Sequence, residues 1–126
     1  KVPQITEEAT NQYQPFTTDD EFIFLKVEYQ WVRISLKDIS YIESLKDYVK
    51  VHLDDSQKTV LSLISLKALE EKLPSTKFMR IHRSFIVSLD KISAITKNSI
   101  LIGKTEITVG EQYKEAFKTI VDKWLK

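Results

Sequence analysis

The sequence predicts a mainly β fold, an antiparallel meander with two short peripheral helices, and three observations carry that expectation. Val32, Ile34 and Leu36 alternate with Trp31, Arg33 and Ser35, the period-two pattern of a strand with one face inward. Gly103-Lys104 separates two further apolar runs and suits a two-residue hairpin whose first position needs a positive φ. Only two stretches repeat their apolar residues at helical spacing, and both are short.

The elements follow in order. Residues 1–16 are polar, carry Pro3 and Pro15 and show neither periodicity, which reads as a linker or tail ahead of a domain spanning 17–126. Phe22–Leu25 is a continuous apolar run and pairs with the 31–36 alternation as a first hairpin. Ile39–Ile42 continues as strand, and Val49, Val51 and Leu53 then point to one face while Tyr48, Lys50 and His52 point to the other. Asp54–Gln57 reads as a turn before a strand near Thr59–Leu63. Ser65 is placed to cap a helix whose Leu66, Leu69 and Leu73 share one side and which Pro74 ends. Phe78–Leu89 has no clean period. Further strands are expected at Ile92–Thr96, Ser99–Ile102 and Thr105–Val109. The chain closes with a helix from about Glu111, with Tyr113, Phe117, Ile120, Val121 and Trp124 as a core stripe.

Composition narrows the function classes. At 126 residues, with 42% hydrophobic and 29% charged residues, the chain has the make-up of one folded domain. There is no cysteine, which removes disulfides, a thiol nucleophile and thiolate-bound metal. No apolar run approaches the ~20 residues that span a bilayer, so a cytoplasmic address is expected. Lys1 in place of Met reads as a piece of something longer. Residues 1–25 hold one Lys against Glu7, Glu8, Asp19, Asp20 and Glu21, a net −4, which leaves +5 on the remainder of a chain whose total is +1. A modestly basic body suits an anionic partner, though many solvated surfaces carry as much.

Two clusters carry candidate chemistry. Arg80, His82, Arg83 and Ser84 crowd hydrogen-bond donors into five residues. An arginine fork there can grip phosphate or the acceptor edge of guanine; equally, Arg80 can pair with a neighbouring strand and His82 can be a satisfied, half-buried residue. Tyr48, Lys50 and His52, with Lys46 just before them, either line a groove or form the solvated face of a half-buried sheet. Catalysis finds little support. His52 and His82 stand in no metal-ligand spacing, no serine sits between glycines in a nucleophile elbow, and adjacent Glu70 and Glu71 do not converge on a helix. With two glycines in the whole chain, phosphate-cradling loops are absent, so no cofactor is expected.

Asp38–Ser44, Asp47–His52, Ser65–Pro74, Phe78–Val87 and Leu89–Ile92 resemble, in order and spacing, the LytTR DNA-binding family, from about Glu21 to the C-terminus. The resemblance implies an elongated stack of small antiparallel sheets. In that family, loops between strands enter successive major grooves of double-stranded DNA at promoter repeats, in place of a recognition helix. It implies a bacterial transcription regulator, most often a two-component response regulator with an N-terminal receiver domain, and self-association on DNA. Carried over by position, the DNA-reading residues are Lys46, Asp47, Tyr48, Lys50, Arg80, His82, Arg83 and Ser84, with Gln112 in a third region before the last helix. There the sequence departs from the family: Gly110-Glu111-Gln112 replaces a Ser followed by Arg, and Ser88 replaces an Asn. A protein-interaction module that keeps the fold with weakened DNA affinity is the alternative.

Overall fold

A computed structural model describes residues 21–54 and 58–125. Among the described residues, ten strands form three antiparallel sheets, accompanied by two α-helices. The central sheet has five strands in the order β5-β4-β3-β7-β6, formed by β3 (Ile39–Leu45), β4 (Tyr48–Leu53), β5 (Thr59–Ser62), β6 (Phe78–His82) and β7 (Phe85–Ser88). One of its faces is covered along all five strands and the other over β3, β6 and β7, with Tyr48 and Leu61 left exposed on the β4–β5 part of that second face. Ile42, Val49, Val51, Phe78 and Ile86 project into one core, which is closed by Leu25 and Ile34 of the hairpin β1 (Phe22–Val27) and β2 (Gln30–Ser35), by Leu66 and Leu69 of α1 (Leu66–Lys72), and by Leu73 at its C-terminal cap. Ile81 and Val87 project into a second core with Ile100 and Ile102 of β9 (Ser99–Ile102), Ile107 of β10 (Thr105–Thr108), and Phe117 and Val121 of α2 (Lys114–Trp124). The short strand β8 (Ala94–Ile95) completes the third sheet, in the order β10-β9-β8.

Local sequence accounts for most of these boundaries. Ser65 has extended backbone and its hydroxyl accepts the Ala68 amide at 3.0 Å, as an N-cap should. Gly103 has φ +60° between β9 and β10, the conformation its position demands. Lys46 adopts φ 56° in the two-residue turn joining Leu45 to its partner Tyr48.

Three expectations change. Phe78–Leu89 is a regular hairpin with a β-bulge between Arg80 and His82. The bulge inserts Ile81, so Arg80 and His82 face opposite sides of the sheet where simple alternation would put them on the same one. That insertion, together with burial on both faces, hides the strand period from the sequence. The last helix begins later than Glu111, because Glu111–Tyr113 form a 3-10 turn and the α-helix starts at Lys114. Its stripe is core at Phe117 and Val121, but Trp124 is 45% exposed. The proposed linker, residues 1–16, lies outside the described residues, as do 17–20 and 55–57 of the expected turn.

The cap on α1 generates a stability prediction. Ser65→Ala should cost about 1 kcal/mol in urea unfolding, and Ser65→Asp should restore most of it. Equal stability of all three proteins would show that the cap contributes nothing.

Candidate nucleic-acid interface

The antiparallel pairing of β3 with both β4 and β7 brings two turns to one end of the central sheet. The β3–β4 turn carries Lys46 and Asp47, and the β6–β7 turn carries Arg83 and Ser84, between the partners His82 and Phe85. Their junction is a backbone hydrogen bond, with the Ser44 amide donating to the Ser84 carbonyl at 2.9 Å. A third segment joins from the other side. The Gly110 amide donates to the Ile81 carbonyl at 2.7 Å, which lays the 3-10 turn Glu111–Tyr113 along the outer edge of β6. Gly110 suits this close approach, since a Cβ there would stand 3.3 Å from Tyr113 Cδ2, so that the ring would have to give slightly, and 3.6 Å from the His82 Cα. The Ser44 and Gly110 bonds thus gather three segments distant in sequence around the end of β6 and β7.

Within this end the side chains divide into those with partners and those left open. His82 Nδ1 accepts the Ser84 amide at 3.0 Å, which makes Nε2 the protonated nitrogen of the neutral ring and leaves a donor available. The ring stacks edge-on to Phe85, with centroids 5.5 Å apart. Arg83 is exposed at the tip, and its guanidinium has no hydrogen bond or ion pair among the described residues. Lys46, Asp47 and Tyr48 are exposed on the neighbouring turn, and Gln112 is exposed on the third segment. Arg80 is different. Its guanidinium donates to the Arg83 carbonyl at 2.6 Å and lies 3.5 Å from the Glu70 carboxylate of α1; the partner is a helix and not the strand considered from sequence.

The strand face of β4 is less open than its composition implies. His52 stacks on Tyr41, with centroids 4.1 Å apart and planes 15° from parallel, and its Nε2 lies 3.2 Å from Glu43. Lys50 is half-buried between its cross-strand neighbours Glu43 and Leu61. Only Tyr48 of that trio is exposed. In the third segment, Glu111 pairs with Lys114 at 2.7 Å, and Lys114 also reaches Asn98 at 3.1 Å. Among the described residues, no three His, Asp or Glu side chains gather as metal ligands.

Sequence reasoning singled out residues of both turns but not what joins them. The Ser44–Ser84 and Gly110–Ile81 bonds are backbone contacts and leave no residue-type signature. Gly110 was the one available clue, as a glycine outside any hairpin.

Comparison with known proteins agrees with this geometry. The sequence model of the LytTr DNA-binding domain matches residues 29–122. The sensory transduction protein LytT of Bacillus cereus is 29% identical over 111 residues, covering 83% of this chain and 44% of that protein. LytT of Bacillus subtilis is 32% identical over 96 residues, covering 71% of this chain and 39% of that protein. The chain therefore spans less than half the length of these two relatives. A solved LytTr DNA-binding domain from Bacillus cereus superposes with a TM-score of 0.67 at 25% identity, over 79% of this chain and 95% of that one. A match across residues 29–122, on a fold of stacked antiparallel sheets, makes this chain a member of the LytTR DNA-binding family.

Proposed function

We propose that the two turns read base edges in successive major grooves of duplex DNA, as the output domain of a bacterial transcription regulator. The observation that carries this reading is the unpartnered Arg83 guanidinium, held at the tip of a turn that is itself tied to the Lys46–Tyr48 turn. A β-hairpin fits the ~12 Å major groove, and an arginine fork matches guanine O6 and N7. The His82 Nε2 donor, the Ser84 hydroxyl, Tyr48 and Asp47 supply further polar groups, Asp47 as an acceptor suited to cytosine. Lys46 and Lys50 face phosphate, and Gln112 flanks them on the third segment.

The relatives' names, sensory transduction proteins, support a place in signal transduction, and the family resemblance extends this to a receiver domain N-terminal to this one and a two-component phosphorelay. Self-association on promoter repeats follows from size, since one small module buries less surface than tight specific binding requires. Such a regulator works in the cytoplasm, and no helix among the described residues is long and apolar enough to cross a membrane. Its role is binding and not catalysis. A second reading, a protein-interaction module with weakened DNA affinity, is favoured by two features near the same end. Glu111 stands exposed, and Leu45, Tyr48, Leu61 and Leu63 are each at least 40% exposed.

Salt separates the two readings. Duplex affinity should fall linearly on a log–log plot, by ~0.9 per phosphate contacted, because condensed counterions are released; salt-independent binding contradicts DNA reading. Arg83→Ala should weaken specific binding by ~1–3 kcal/mol while leaving random duplex nearly untouched. An equal loss on both duplexes would make Arg83 a phosphate contact.

Glu111 supplies an opposite test. Replacing it with Arg removes a carboxylate and frees Lys114, so affinity should rise on specific and random duplexes alike and the salt slope should steepen by roughly one unit. Unchanged affinity and slope would show that Gly110–Gln112 does not approach DNA.

A further inference from the structure

We propose that Arg80 is a positioning residue for DNA readout: oriented by Glu70, its guanidinium holds the Arg83 carbonyl and so fixes the turn that presents His82 and Arg83. The inference rests on the DNA-reading role proposed above and assigns Arg80 a place behind the contact surface, not on it.

Three observations converge. One terminal nitrogen of Arg80 donates to the Arg83 carbonyl at 2.6 Å while the other faces the Glu70 carboxylate at 3.5 Å. The Arg80 side chain is only 20% exposed. Its Nε is buried without a partner, a desolvation cost that a solvent-pointing arginine would escape. The guanidinium is therefore held inward by its two terminal nitrogens. The bulge at Ile81 is what allows this. It leaves Arg80 on the α1 side of the sheet, opposite its strand partner Ile86, while His82 moves to the Phe85 side.

The consequence is a turn whose backbone is tied from three directions. Arg80 holds the Arg83 carbonyl, His82 Nδ1 holds the Ser84 amide, and the Ser44 amide holds the Ser84 carbonyl. The Arg83 side chain is left as the open group on a fixed base. A contact residue delivers discrimination only if its support is rigid, because a loose turn spends binding free energy on ordering itself. A planar fork can serve two acceptors at once, and a lysine ammonium on a flexible stem cannot hold the same geometry.

Glu70 makes the inference testable by sign. It is a half-exposed carboxylate, and if its only influence on DNA were repulsion, removing its charge would raise affinity for every duplex. A positioning role predicts the reverse for the specific site alone.

The test uses the whole chain with two duplexes, one enriched from a random library by the unmodified chain and one a scramble of it. Arg80→Lys should lower affinity for the enriched duplex about tenfold, with little change on the scramble and an unaltered salt slope, since the charge is kept. Glu70→Gln should move the enriched-to-scrambled ratio in the same direction by a smaller factor. Amide exchange in the free protein supplies a readout without DNA: Ser84 and Ser44 should exchange about tenfold faster in Arg80→Lys, while amides of β3 and β4 distant from the turn keep their rates. If both variants keep the ratio and the Ser84 amide keeps its protection, the proposal is overturned. It is also overturned if Arg80→Gln weakens both duplexes equally with a slope lower by about one unit, because Arg80 is then a phosphate contact. Should the unmodified chain enrich no duplex, the DNA-reading role falls and the readout role of Arg80 with it. The exchange rates then show separately whether the turn is held as described.

Discussion

Burial of the central sheet on both faces is the constraint from which the rest of the architecture follows. Period-two alternation sends Ile42, Val49, Val51 and Ile86 into one core and Val87 into the other, joined there by Ile81 from the bulge. A sheet so covered leaves its ends, its edges and the β4–β5 part of one face free for function. Antiparallel pairing of β3 with both neighbours then decides which turns share an end, so that Lys46–Tyr48 and His82–Ser84 become adjacent although distant in sequence. The two cores act in this sense as the scaffold of the interface. They determine the spacing of every group proposed to meet DNA.

Main-chain groups tie this end of the sheet together. The Ser44 amide donates to the Ser84 carbonyl, the Gly110 amide to the Ile81 carbonyl and the Ser84 amide to His82 Nδ1. The bulge at Ile81 sets both the His82 tautomer partner and the inward course of Arg80. It is a small irregularity with two structural consequences, beside the proposed contact surface.

How much of this was legible in the sequence depends on the range of the interaction. The Ser65 cap, the Gly103 hairpin and the Leu66-Leu69-Leu73 face are local, and each stands where its residue type demands. The β6–β7 hairpin was obscured because Phe78, Met79, Ile81, Ile86 and Val87 serve two cores, so the apolar pattern loses its period. His52 read as an open basic residue, whereas cross-strand neighbours three-dimensional in origin, Tyr41 and Glu43, engage it. Of the candidate contact residues, Lys46 and Asp47 stood out as a loop ahead of the Tyr48–His52 alternation, whereas Arg83 and Ser84 were singled out by the density of donors around them and by the family resemblance, not by a recognisable turn. The inward hold on Arg80 was not, since Glu70 lies on a separate helix and nothing in residue spacing joins them.

The account rests on one end of the central sheet being the surface that meets DNA. Amide chemical-shift mapping of the isotopically labelled chain during titration with an enriched duplex tests that most directly. Perturbations should concentrate at Lys46–Tyr48 and His82–Ser84, extend to Gly110–Gln112 if the third segment takes part, and fade toward the opposite end of the sheet at Lys37, Lys77 and Lys91. A map centred on that opposite end, or on the outer face of β1 and β2, would contradict it.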